Sequence, residues 1–100
     1  MYPTRFAPLY RRFSDLLDHV HRRNLAAILK NLWDDGLLEE GRLTEVRVLP
    51  PLEAVIFIFY WKGELWLLAG YWVRKGEPTA DLIRAVERYV GMIQDAKKFD

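Results

Sequence analysis

The sequence predicts an α+β fold, with an N-terminal helical hairpin packed on a small antiparallel sheet and a C-terminal helix after the sheet. Apolar residues recur at helical spacing from residue 9 to about residue 33, alternate with a period of two from residue 43, and return to helical spacing after residue 79. Of the 100 residues, 51% are hydrophobic. A single domain over residues 1–100 with an apolar core is therefore expected.

The composition excludes several classes of site. The chain has no cysteine and two histidines, so thiolate and histidine-rich metal centres are excluded, and we expect no metal and no cofactor. Its 15 basic and 14 acidic residues give a net charge of +1, which excludes a large uniform basic field. The most apolar run, residues 54–61, is far shorter than the roughly 20 residues of a membrane helix. We expect a cytoplasmic protein with no membrane partner.

The first third of the chain predicts a short strand and two helices. Pro3 and Pro8 limit the start to an edge strand around residues 2–6, because proline cannot donate into a sheet ladder. Asn24 falls where the first apolar helical stripe would continue, so we predict a hairpin that breaks at residues 22–24; one long bent helix is the alternative. Gly36 is expected to end the second helix, since glycine adopts the left-handed conformation without a steric penalty.

The middle and end of the chain predict three strands and a helix. Residues 43–48 alternate apolar and polar side chains, and residues 54–61 and 64–73 flank the two-residue turn Lys62-Gly63 of a hairpin. Thr79 is the expected N-cap of the last helix.

Both faces of the predicted hairpin are apolar. The helices of one small domain are expected to cover one face, so the face of Phe57, Phe59 and Trp61 needs another cover. The N-terminal segment and long neighbouring side chains are one possibility. A partner chain or a second copy of the protein is the other.

Three cations are expected to converge on the sheet, namely Arg47, Arg74 and Lys75. Such a group suits phosphate, and the interleaved aromatic side chains of Tyr60, Tyr71 and Trp72 suit base stacking. A solvated strand edge is the alternative.

A second basic group is predicted if the first helix is continuous. It comprises Arg12, His19 and Arg23, and it is either a solvated face or a contact for RNA or an acidic partner.

Short motifs between residues 31 and 89 give the chain a resemblance to the RelE/HigB superfamily of toxin ribonucleases, most closely its phage-derived HigB-like branch. The matching positions are Leu32 to Gly36, Glu45-Val46-Arg47, the aromatic strand end Phe57 to Trp61, Leu68 and Tyr71 before Arg74-Lys75, Pro78 just before the last helix, and Ile83, Ala85 and Arg88 within it. The predicted order of elements agrees with that fold.

The resemblance implies an mRNA-cleaving endoribonuclease, commonly acting at the ribosome, that is neutralised by a cognate antitoxin. It implies that Arg47 and Arg74 hold the scissile phosphate and that Lys75 assists or relays a proton. It also implies three substrate-binding side chains, Tyr71, Trp72 and Arg88.

The chain departs from the family pattern in three ways. Glu53-Ala54 replaces the family's Tyr-Arg pair, residues 37–100 hold nine basic against ten acidic residues, and no histidine lies in that half. A histidine-dependent mechanism is therefore not expected. The alternative function is a non-catalytic RelE-like protein, either a phage or plasmid modulator that binds a protein partner or a homodimer formed through the aromatic sheet face. An unrelated α+β module is a third possibility.

Overall fold

The computed structural model describes residues 3–76 and 78–96 and confirms the α+β fold. Its elements are β1 (Thr4–Phe6), α1 (Pro8–Asp15), α2 (His19–Asp34), β2 (Leu43–Val48), β3 (Ala54–Trp61), β4 (Glu64–Trp72), a 3₁₀ turn (Val73–Lys75) and α3 (Ala80–Gln94). Within these residues, four strands form one sheet in the order β1-β4-β3-β2. β2, β3 and β4 pair antiparallel as predicted, whereas β1 lies parallel to β4, so the sheet is mixed.

The helical hairpin breaks earlier than predicted, between α1 and α2 at residues 16–18. Asp18 is the N-cap of α2, and its Oδ1 accepts a hydrogen bond of 2.9 Å from the His21 backbone N–H. The prediction of a break at residues 22–24 is wrong because this cap sets the helix start and Asn24 lies inside α2. Arg12 is consequently on a different helix from His19.

Helices cover both faces of the sheet. On one face, α1 and α2 contribute Tyr10, Phe13, Leu25 and Leu29 to a core with Ile56 and other strand residues. On the other face, α3 packs over the aromatic side chains of β3. The core residues on this side are Ala7, Phe57, Phe59, Leu68, Ala69, Val86, Tyr89 and Ile93.

The expectation that the aromatic face needs a further cover is therefore wrong. Phe59 is 0% exposed and Phe57 is 2% exposed, because the apolar stripe of α3 lies on them. A homodimer formed through this face would first require α3 to leave it.

A β-bulge in β4 decides which way the end of that strand faces. The register shifts between Phe57 and Ile58, which pair with Ala69 and Leu67, so Leu68 is an extra residue in β4. Leu68 and Ala69 both belong to the α3-side core. Before the bulge the odd-numbered residues of β4 face α1 and α2, and after it they face α3. Tyr71 therefore packs on the α3 side and Trp72 on the α1 side.

The predicted turns and caps are confirmed. Lys62 and Gly63 have φ values of 49° and 78°, which is the pattern of a type I′ turn. Gly36 has a φ of 68° after α2, and the Thr79 hydroxyl accepts a hydrogen bond from the Leu82 N–H at the start of α3.

Burial of Tyr10 predicts a loss of stability at alkaline pH. Desolvation raises the pKa of Tyr10 to about 12, against a smaller lowering effect of Arg22. Between pH 10 and 12 the unfolded chain releases this proton and the folded chain keeps it, so the free energy of unfolding falls as the pH rises. Two pKa units correspond to at most about 2–3 kcal/mol.

Denaturant unfolding of the wild type and Tyr10→Phe at pH 9 and pH 12 measures this loss. The wild type is expected to lose more stability than Tyr10→Phe over that interval. Equal losses in the two proteins would contradict the assignment to Tyr10, because all other titrating groups are common to both.

Candidate nucleic-acid interface

The candidate site lies at one end of the sheet, where β2 ends, β3 begins and β4 ends. Arg47, Val55 and Tyr71 form one row across these strands, because Arg47 pairs with Val55 and Val55 pairs with Tyr71. Residues paired in this way present their side chains to the same face. The register therefore places a cation and an aromatic ring on either side of a valine.

Three linked depressions surround this end of the sheet. The α1 groove, of about 420 Å³, lies between α1, the end of β4 and the start of α3. The Arg47 pocket, of about 260 Å³, lies over the row just described, and the α2 cavity, of about 350 Å³, lies between α2 and residues 47–52. The α1 groove and the Arg47 pocket share Tyr71 and Gly76, and the Arg47 pocket and the α2 cavity share Arg47.

The lining of these depressions is cationic although the whole chain is nearly neutral. Arg12 and Lys75 line the α1 groove, and Arg47 lines the other two depressions. No aspartate or glutamate is among the described residues that line any of the three. Local charge therefore favours a polyanion here despite the net charge of +1.

Aromatic rings form part of the same surface. Trp72 and Phe13 both line the α1 groove, with ring centroids 5.0 Å apart. The Arg74 guanidinium lies over the Trp72 ring, 5.4 Å from its centroid. Tyr71 lines two depressions and packs against Phe57, 5.9 Å away between centroids.

The structure brings together some of the predicted site residues and separates others. Tyr71, Trp72 and Lys75 line the α1 groove, and Arg47 is joined to it through the shared Tyr71. Arg74 stacks on Trp72 and lines none of the three depressions.

Two residues lie elsewhere. Arg88 is exposed on α3 beside the Tyr89 ring, outside the three depressions. Tyr60 is at the opposite end of β3, where it packs edge-on against Trp33 with centroids 5.1 Å apart. The prediction that Tyr60 interleaves with the three cations as Tyr71 and Trp72 do is wrong, because Tyr60 lies at the opposite end of the sheet.

Two further positions could not be placed from the sequence. Arg12 lines the α1 groove because α1 ends before α2 begins, so Arg12 does not lie on the helix face that His19 and Arg23 share. The Asp18 cap was the available signal for that break. Ala54, which stands where the family pattern has an arginine, is 0% exposed and lies in the α1/α2-side core.

This arrangement suits binding of a single strand. Arginine and lysine side chains contact phosphates, aromatic faces stack on bases, and an acid-free lining avoids repulsion of the backbone. No group of three or more potential metal-ligating side chains occurs among residues 3–76 and 78–96. None of the helices described is both long enough and apolar enough to cross a membrane.

Comparison with known proteins gives no family for this chain. No family model matches the sequence, and no curated protein is significantly similar to it. The assignment of a function therefore depends on the residues and geometry given above.

Proposed function

We propose that the protein is an mRNA-cleaving endoribonuclease of the RelE/HigB type, which acts in the cytoplasm at the ribosome and is countered by an antitoxin protein. The observation that supports this most is the acid-free series of depressions at the end of the sheet. Four residues implied by the family resemblance, Arg47, Tyr71, Trp72 and Lys75, line it together.

In the proposed reaction, the ribose 2′-hydroxyl gives its proton to water as its oxygen bonds to the adjacent phosphorus. The bond from phosphorus to the 5′-oxygen breaks and this oxygen takes a proton from water, which leaves a 2′,3′-cyclic phosphate and a 5′-hydroxyl. Negative charge develops on the phosphoryl oxygens, and fixed cations stabilise it. In this proposal Arg47, which lines the Arg47 pocket, takes that role, and Lys75, which lines the α1 groove, assists it. Tyr71 and Trp72 would hold the flanking bases by stacking.

In this proposal Arg74 acts less directly on the scissile phosphate than Arg47 does. Its guanidinium is over the Trp72 ring, so it would bind phosphate beside a stacked base or hold the ring in position. We therefore expect Arg47→Ala to impair cleavage more than Arg74→Ala.

Induced expression in growing cells followed by mapping of new mRNA 5′ ends tests the function. The wild type is expected to generate new ends, and the double variant Arg47→Ala/Arg74→Ala is expected to generate none. Circular dichroism of both purified proteins controls for folding. New ends at equal frequency from both proteins would refute the assignment of the site, and their absence from folded wild type would refute the function.

The second candidate is a non-catalytic protein that binds another protein. Leu16 favours it, because this leucine lines the α1 groove while 71% exposed, and an apolar rim suits a protein partner. Under this function, induction produces no new mRNA ends, and Leu16→Asp weakens binding of the partner without unfolding the protein.

A further inference from the structure

The outer side of β2 is an unprotected edge of the sheet. β2 is the last strand in the order β1-β4-β3-β2, so among residues 3–76 and 78–96 no strand lies beyond it. Its six residues, Leu43–Val48, pair with β3 in one unbroken register and include no proline, lysine or bulge. Soluble proteins usually protect a free edge with one of those features, because its outward N–H and C=O groups can pair with another strand.

The opposite edge of the sheet is protected. The described part of β1 has three residues, Thr4–Phe6, and Pro3 and Pro8 lie on either side of it. A strand this short, next to residues that cannot donate a backbone hydrogen bond, offers little to a further strand. β2 is therefore the edge at which pairing with another chain is expected.

Two side chains of β2 carry charges that the chain itself leaves unpaired. Glu45 and Arg47 are exposed, and neither forms an ion pair with any residue that the structure describes. Glu45 pairs with Phe57 of the α3-side core, and Arg47 lies two positions further along the strand. Both side chains therefore lie on the α3 face of the sheet, with opposite charges.

The edge of β2 is complementary to itself in one register. Two copies that join their sheets through a twofold axis pair antiparallel, and paired residues lie on the same face. With Val46 on the axis, Glu45 of each copy lies opposite Arg47 of the other. The same register places Leu43 opposite Leu49 at both ends, and both leucines are exposed in the single chain. The register therefore joins opposite charges and covers apolar surface.

The neighbouring registers are unfavourable. Because side chains alternate between faces with a period of two, the next registers that keep the faces aligned place Glu45 or Arg47 on the axis. Each of them brings two like charges directly opposite one another, which destabilises a strand pair. The charges of β2 therefore select the register that is centred on Val46.

We propose that the protein forms a homodimer in which two copies of β2 pair antiparallel about Val46. The pairing joins the four strands of each copy into one continuous sheet, with two Glu45–Arg47 ion pairs on its α3 face. This interface is separate from the aromatic face of β3, which α3 covers. The inference does not depend on the proposed ribonuclease function.

The interface includes one residue of the candidate RNA site. Arg47 lines the Arg47 pocket, and in the dimer its guanidinium lies beside the Glu45 carboxylate of the second copy. Carboxylates and phosphates accept hydrogen bonds from the same guanidinium donors. RNA and the second copy therefore compete for Arg47.

Sedimentation velocity over a range of protein concentrations measures the dimer. Glu45→Arg is expected to weaken dimerisation at least about 10-fold, because it replaces two attractive cross-strand pairs with two repulsive ones. Arg47→Glu is expected to have the same effect. Asp15→Arg makes the same change of charge at the exposed end of α1 and is expected to leave the dimer intact. Circular dichroism of each variant controls for folding.

A mixture of the two charge-reversed variants tests the register. In a pair made of one Glu45→Arg copy and one Arg47→Glu copy, each position 45 again lies opposite a position 47 of opposite charge. The mixture is therefore expected to form dimers about as stable as those of the wild type, although each variant alone does not.

Three results would refute the proposal. One is a wild type that stays monomeric at its highest soluble concentration. The others are a wild-type dimer that Glu45→Arg leaves unchanged and a mixture of the two variants that stays monomeric, since either would mean that the copies do not pair in this register. Mapping of new mRNA 5′ ends is a separate measurement, so failure of the dimer and failure of the proposed function are distinguishable.

Discussion

Replacing Gly70 with alanine is expected to lower the free energy of unfolding by about 2–3 kcal/mol, as for an overpacked core. An ideal Cβ at Gly70 would lie 2.7 Å from Cδ2 of Phe13 and 2.8 Å from Cγ and Cε2 of the same ring. The ring has little freedom to move, because Phe13 is 5% exposed and packs against Trp72. Gly70 and Phe13 also line the α1 groove, so the substitution would displace the groove wall.

Gly91→Ala is the matched control for this prediction. A Cβ at Gly91 would meet no atom within 4 Å beyond its chain neighbours and the backbone of its own helix, α3. Alanine is favoured over glycine in a helix by up to about 1 kcal/mol, so this variant should be more stable than the wild type. Denaturant unfolding measures both variants, and wild-type stability of Gly70→Ala would contradict the close packing of Phe13 on β4.

Removing the three cations that line the depressions is expected to lower the affinity for single-stranded RNA about 100-fold. The variant is Arg12→Ala/Arg47→Ala/Lys75→Ala, and each cation is expected to neutralise one phosphate. Because each such contact contributes about −0.7 to the slope of log affinity against log salt, the slope should become shallower by about 2.

A control variant with the same net charge as the triple variant separates the effect of where the cations lie from the effect of total charge. Lys30, Arg42 and Arg84 lie outside the three depressions, and each is paired with an acidic side chain. Replacing all three with alanine removes the same formal charge and should leave most of the affinity. Fluorescence anisotropy with a labelled oligonucleotide at several salt concentrations measures both variants. Equal losses of affinity in the two triple variants would mean that RNA binding depends on the net charge of the protein and not on the cations of this site.

The sequence predicted local structure well because the signals were local. The period of the apolar residues located the helices and strands, and Thr79 and Gly36 marked a cap and a helix end through their side-chain and backbone chemistry. The sequence pattern does not locate the break after α1, because the cap at Asp18 is a single residue, whereas the apolar stripe extends over several turns and predicts a break near Asn24.

What the sequence could not predict depends on contacts between distant segments. The bulge at Leu68 sets Tyr71 and Trp72 on opposite faces, and no local pattern marks it. The sequence also does not predict that α3 covers the aromatic face, although it does predict the apolar stripe of that helix. A stripe reveals that a helix has a buried side but not which face of the sheet it covers.

The candidate site was partly predictable for the same reason. Residue types and family resemblance identified Arg47, Tyr71, Trp72 and Lys75, which line the linked depressions. Arg12 and the α2 cavity enter only through the packing of α1 and α2 beside the sheet. The packing of α1 and α2 beside the sheet therefore adds Arg12 and the α2 cavity to the surface formed at the end of β4.

The central claim is that RNA lies along this end of the sheet. The most direct test is photo-cross-linking of the protein to a single-stranded RNA that contains 4-thiouridine. Trypsin cleaves after Lys62 and Arg74, so residues 63–74 form one peptide, and fragmentation of that peptide locates the attached nucleotide. We predict cross-links at Tyr71 or Trp72, and their loss in the variant that lacks Arg12, Arg47 and Lys75. Cross-links at Trp33 or Tyr60, at the far end of β3, would contradict the claim.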